Sequence, residues 1–185
     1  MKNSQIAQAF NPDRRRWLLY SGMTAGARIL ESTHAVGAPD PEISHTAEAI
    51  HQELTFNAKP DRIYNALTDA ASFQKLESFS EAMRSMDINA HPAKISGDPG
   101  GAFSLFGDYV TGRHIELIRN QRIVQAWRPA SWDPGIYSIA RFELTPVDAG
   151  TKLVFDHKGF PAGTAEHLAS GWYANYWNPL RKFLG

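Results

Sequence analysis

The chain has 185 residues, of which 43% are hydrophobic and 21% charged, enough apolar material for one real core and too much for a disordered chain. Nineteen Lys and Arg balance nineteen Asp and Glu, so there is no charge excess to neutralise a nucleic-acid backbone or to hold an anionic membrane. Cysteine is absent, which removes disulfides, thiolate nucleophiles and iron-sulfur ligation.

Residues 1–44 separate from the rest by composition. Arg14, Arg15 and Arg16 precede a weakly apolar stretch from Trp17 to Ala27, and small residues follow around Thr33 to Ala38. A basic region, a short apolar region and a small-residue zone are the requirements of a secretory signal, and the consecutive arginines resemble the twin-arginine export signal of bacteria. On that reading the protein is periplasmic or exported. The same residues also read as a short amphipathic helix or a solvated tail, which leaves the protein cytoplasmic. The apolar stretch falls short of the roughly 20 residues that span a bilayer, and no later segment reaches that length. Ala38 to Ser44, with Pro39 and Pro41, reads as a linker into a domain over 45–185.

The first element of that domain is a half-buried strand from Ile50 to Phe56, with Ile50, Leu54 and Phe56 alternating against His51, Glu53 and Thr55. Lys59-Pro60-Asp61 changes the period, and Pro60 suits a first helical position, so two short helices are predicted, the second ending near Leu76. Ser78 to Gly100 is predicted as loop with one short strand around Lys94 to Ser96. Five β-rich runs follow, Ala102 to Phe106, Tyr109 to Ile118, Arg122 to Arg128, Tyr137 to Thr145 and Thr151 to Lys158. Separators as short as Gly107-Asp108 and Arg119-Asn120-Gln121 join only antiparallel neighbours, which predicts a meander. From Thr164, a plausible N-cap, Leu168, Trp172, Tyr176, Leu180 and Phe183 recur at helical spacing up to Leu184. Pro179 must kink or restart that helix near Asn178.

Strand, two short helices, antiparallel meander and long C-terminal helix make an α+β chain in the order of the helix-grip folds. The blocks GRHIELIRNQRIVQAWR, FELTPVDAGTKLVFDHKGFP and HLASGWYANYWNPLRKFL resemble the SRPBCC superfamily. Within it they resemble the domain family named after the C-terminal domain of the heat-shock protein 90 ATPase activator. The resemblance covers roughly residues 46–185; its most specific marks are Gly150-Thr151, His157-x-Gly159-Phe160 and Gly171-Trp172. It implies a curved sheet that wraps the last helix and leaves a cavity between them. The chain departs from the pattern at Lys75-Leu76-Glu77, where such domains often carry an aromatic residue, and in the longer segment from Ser78 to Gly100.

Three functions follow. The first is binding of a small hydrophobic molecule in that cavity, with Gln125, Trp127, Tyr137, His157, Trp172 and Tyr176 as lining candidates and Tyr173 beside them. The tryptophans and Tyr176 read equally as core. The second is regulation of a chaperone ATPase, which only the family name implies. The third is a cyclase- or hydrolase-type reaction with His157 as general base, since His157 shares the inward face of Leu153 and Phe155. Against it stands a structural His157 bonded to a backbone carbonyl near Gly159. Asp156 faces the other way and does not orient it. No cofactor motif is present, and the seven histidines contain no HExxH or His-x-His pair, so no metal site is expected. The glycines of Gly97 to Gly101 match neither phosphate-binding pattern and read as a turn.

Overall fold

A computed structural model of the chain describes residues 48–80, 83 and 90–185. The segment read as an export signal or tail, and much of the loop after Ser80, lie outside the described residues.

Strand β1 (Ala49–Phe56) is followed by α1 (Pro60–Thr68) and α2 (Ala70–Glu77). Pro60 sits at the first helical positions of α1, where its missing N–H has no intrahelical partner to lose. Asp69 caps α2 by accepting the backbone N–H of Ser72 at 2.8 Å. A two-residue strand, β2 (Lys94–Ile95), precedes β3 (Ala102–Leu105), β4 (Val110–Ile118), β5 (Arg122–Pro129), β6 (Ser138–Val147) and β7 (Gly150–Lys158). All pairings are antiparallel in one seven-stranded sheet of order β1-β7-β6-β5-β4-β3-β2, so the meander is closed on one side by the first strand.

One face of the sheet supplies the core, because alternation puts Ile50, Leu54 and Phe56 of β1 on the same face as Leu153 and Phe155 of β7, which pair with Leu144 and Phe142 of β6. A bulge in β4 between His114 and Glu116 breaks the alternation, turning Ile115 outward, and bulges of this kind bend a sheet. The Gly150-Thr151 pair ties the two ends of the molecule's first and last strands together. A Cβ at Gly150, whose φ is 134°, would overlap the carbonyl oxygen of Phe56, and Thr151 Oγ1 donates to the carbonyl of Ala58 at 2.6 Å.

The C-terminal segment runs as α3 (Ala165–Trp172), a π-helical turn (Tyr173–Trp177) and α4 (Asn178–Leu184) without leaving helical backbone. Thr164 precedes α3 but makes no cap bond; its hydroxyl donates instead to the carbonyl of Pro161. The break expected from Pro179 takes the form of the π turn just before it, in which the N–H of Asn178 reaches back five residues to the carbonyl of Tyr173. The wider turn places two successive side chains, Tyr176 and Trp177, on the buried face, and Trp177 stacks on Trp172 at 5.6 Å. Each of these large side chains contributes about 1.5–3 kcal/mol by burial, and the helix packs them into the same core cluster as the sheet.

Candidate functional site

At the β4–β5 end of the sheet the helix and sheet do not meet completely. A cavity of about 460 Å3 remains there, within the range of small-molecule sites. Its sheet wall is Val110, Trp127 and Pro129, its helix wall Leu168, Trp172 and Tyr176, and its remaining sides are Phe106 and Trp132. Trp132 belongs to the loop after β5, which Arg128 clamps by donating to the carbonyl of Trp132 at 2.7 Å. The cavity exists partly because Gly171 faces it, since a Cβ there would meet nothing within 4 Å. No carboxylate, ammonium or guanidinium side chain lines it among the described residues; Ser131, Thr164, His167 and Asn175 add polar atoms to the lining. A wider depression of about 740 Å3 at the opposite end of the β4–β5 hairpin, around Lys59, Asn120 and Arg122, is open and polar and holds none of the expected lining residues.

Of those six candidates, Trp127, Trp172 and Tyr176 line the cavity. His157 does not. It is fully buried behind the tryptophans, its ring 5.2 Å from that of Trp127, with both nitrogens engaged. Trp172 Nε1 donates to His157 Nδ1 at 3.1 Å, which leaves the proton on Nε2 to be donated to Ser138 Oγ at 2.6 Å, and Ser138 in turn donates to the carbonyl of Trp127. The partners are therefore two side chains and not the backbone carbonyl near Gly159. Burial pushes the His157 pKa down to about 4, and a neutral imidazole with no free lone pair cannot accept a substrate proton.

Gln125 is also inward and buried but sits deeper along β5, beside His114, with their nitrogens 3.5 Å apart. His114 Nε2 has no partner among the described residues, and burial lowers its pKa too. Tyr137 is the clear correction. It is 48% exposed and turned away from the cavity, with the Arg128 guanidinium over its ring at 5.7 Å. Tyr173 is 44% exposed and also outside. Asp156 faces outward as expected, where it pairs with His51 at 2.8 Å.

Two groups beside the cavity, Phe106 and Glu77, escaped the sequence reading. Phe106 has φ 52° and opens a turn in which Gly107 and Asp108 are also left-handed, a strained start for an aromatic residue on a cavity wall. Its backbone N–H is held at 3.0 Å by Glu77 Oε2, and Glu77 Oε1 has no partner among the described residues. Burial raises the pKa of this fully enclosed carboxyl against the opposing Phe106 hydrogen bond. Its sequence signal was the departure at Lys75-Leu76-Glu77. Tyr176, already a candidate from the sequence, stands beside them. Its hydroxyl accepts Trp127 Nε1 at 3.3 Å, and its ring packs on Phe106 at 5.2 Å and Trp172 at 4.1 Å. Among the described residues no cluster of three or more His, Asp or Glu side chains is placed to hold a metal ion. No described helix is long and apolar enough to cross a membrane.

The sequence model of the family described as Activator of Hsp90 ATPase homolog 1-like protein matches residues 57–185. The chain belongs to that family. A mouse relative named activator of 90 kDa heat shock protein ATPase homolog 2 is 25% identical over 157 residues, which is 85% of this chain and 42% of the relative. An uncharacterized protein of Schizosaccharomyces pombe is 31% identical over 143 residues, 77% of this chain and 39% of the relative. This chain thus spans about two fifths of the length of those two relatives. The crystal structure of an HSP90 activator from Plasmodium falciparum superposes with a TM-score of 0.62 at 26% identity, covering 75% of this chain and 96% of that one. Within the family's α+β helix-grip fold, the marks Gly150-Thr151 and Phe160 take structural roles here. The first is the strand tie, and the second is the ring packed 5.1 Å from His157.

Proposed function

We propose that this member of the Hsp90-activator-like family is a binding module that holds a small, mostly apolar molecule between the β4–β5 end of the sheet and the C-terminal helix. The observation that carries the reading is the aromatic cavity kept open by Gly171, lined by no carboxylate, ammonium or guanidinium among the described residues and of a size suited to a small molecule. Thermal melting of the protein against apolar aromatic and lipid-like compounds tests it. A ligand at one hundred times its dissociation constant raises stability by about 2.7 kcal/mol, and Trp127→Ala removes the response. Silence of the wild-type protein toward every such compound would overturn the reading.

The comparisons favour a second reading, contact with a chaperone of the heat-shock protein 90 type and a change in its ATPase. Its support is the family membership and the names of the mouse and Plasmodium relatives. The mouse relative is much longer than this chain, so the reading concerns the shared domain's contact surface rather than the whole activator's behaviour. It is tested by chaperone ATP turnover in the presence of a saturating concentration of this protein. Unchanged turnover together with no detectable complex would eliminate it. The two readings use different parts of the molecule, an interior and a surface, and neither excludes the other.

A further inference from the structure

The walls of the cavity differ in how their polar atoms are used. The indole N–H of Trp172 is taken by His157, and that of Trp127 by the Tyr176 hydroxyl. The Thr164 hydroxyl donates to Pro161, and the Ser131 and Tyr109 hydroxyls stand 3.1 Å apart. His167, Tyr109 and Ser131 are exposed, whereas Tyr176 is buried. Its oxygen accepts from Trp127, and its own proton has no acceptor within hydrogen-bond distance among the described residues. In that buried position a donor left unmatched costs about 1–3 kcal/mol.

Burial pushes the Tyr176 pKa well above its ordinary value against the opposing Trp127 N–H, with the nearby Glu77 charge adding the smallest upward push. The phenol therefore keeps its proton at any ordinary pH and acts as a donor. A lone water is a poor acceptor for it here, because an ordered water needs two to four polar partners and the rings packed on Tyr176, those of Phe73, Phe106 and Trp172, present carbon. An oxygen carried on its own apolar skeleton meets both needs. A carboxylate would accept the proton but would bring a negative charge toward Glu77, beside a wall with no ammonium or guanidinium among the described residues.

Resting on the ligand-binding reading above, we infer that the cavity selects a neutral carbonyl compound with a flat apolar body, its oxygen accepting the Tyr176 hydroxyl. The aromatic faces of Trp127, Trp132 and Phe106 take the body. Tyr176 sets which polar group is admitted.

The test uses three matched probes, 2-acetylnaphthalene, 2-ethylnaphthalene and 2-naphthoate, titrated by tryptophan fluorescence into the wild-type protein and Tyr176→Phe. The ketone is expected to bind the wild type about tenfold more tightly than the hydrocarbon, and the carboxylate more weakly than either. Tyr176→Phe should erase the ketone's advantage while the hydrocarbon's affinity holds. The carbonyl stretch of bound 2-acetylnaphthalene gives a readout independent of any variant, and donation from Tyr176 moves it to lower wavenumber. Equal binding of ketone and hydrocarbon to the wild type, with an unshifted carbonyl stretch, overturns the inference and leaves the apolar pocket standing. Failure of all three probes to bind overturns both.

Discussion

The two ends of the helix–sheet contact are built from the same kinds of residue and behave differently. Around Trp172 every polar atom is matched in one chain, from the indole N–H through His157 and Ser138 to the carbonyl of Trp127, and Phe155 packs 4.3 Å from the Trp172 ring. At Tyr176, one turn further along the helix, the matching stops. There Phe106 takes a left-handed backbone, Glu77 keeps an oxygen without a partner among the described residues, and a cavity adjoins the phenol. Unmatched polar capacity and backbone strain gather where a fold does something besides holding itself together. In this domain Glu77, Phe106 and Tyr176 bring both together beside the cavity, while His114 and Asn120 keep unmatched atoms elsewhere.

The largest break of the contrast removes the helix altogether. Ending the chain before Thr164 deletes Leu168, Trp172, Tyr176, Trp177, Leu180 and Leu184, all buried, at about 1.5–3 kcal/mol each. That sum equals or exceeds an ordinary domain stability of about 5–15 kcal/mol, so the fragment 39–163 should show no cooperative melting by circular dichroism. A soluble, cooperatively melting fragment would refute the core shared by helix and sheet described above.

A smaller effect reads the closed end through pH. The His157 pKa lies near 4 in the folded protein and near 6.5 in the unfolded chain, so the unfolded state binds more protons between those values. Stability is complete above about pH 6.5 and falls as the pH drops toward 4, by about 3 kcal/mol from His157 alone, with His114 acting in the same direction. His51, exposed and raised mainly by Asp156, works weakly the other way. Denaturant unfolding across that range should show the decline in the wild type and a flatter profile in His157→Gln.

Smaller again is Ser138→Ala, which leaves the buried Nε2 proton of His157 without an acceptor and should cost about 1–3 kcal/mol in urea unfolding. Because Ser138 does not line the cavity, the dissociation constant for 2-acetylnaphthalene should stay within twofold of the wild type. A large loss of affinity would mean that the two ends are coupled.

Most of the scaffold was legible in the chain. Alternation alone put Leu153, Phe155 and His157 on one face and Ile123, Gln125 and Trp127 on another inward row, and Pro60 marked the start of α1. The site was less legible, because periodicity tells which face a residue takes and not how far along the strand the cavity begins. Gln125 and Trp127 share a face, yet only Trp127 reaches the opening. Tyr137 was misplaced for a local reason. The strand's inward register starts at Ser138, opposite Trp127, and a period of two then turns Tyr137 outward. Trp177 was missed because the stripe Leu168, Trp172, Tyr176, Leu180 and Phe183 was drawn narrow, and the π turn brings Trp177 onto the buried face beside Tyr176. Glu77 and Phe106 depend on a contact between residues 29 apart, which no local pattern records.

The smallest change in stability goes with the sharpest change in binding. Gly171→Leu replaces a glycine within α3 whose missing side chain leaves open space, so the variant should melt within a few degrees of the wild type. The leucine side chain would then occupy the volume assigned to the ligand. The measurement is the rise in melting temperature caused by saturating 2-acetylnaphthalene, taken on the wild type and on Gly171→Leu side by side. A clear rise for the wild type and none for the variant is the predicted result. An equal rise in both proteins would place the ligand elsewhere and contradict the assignment of the cavity.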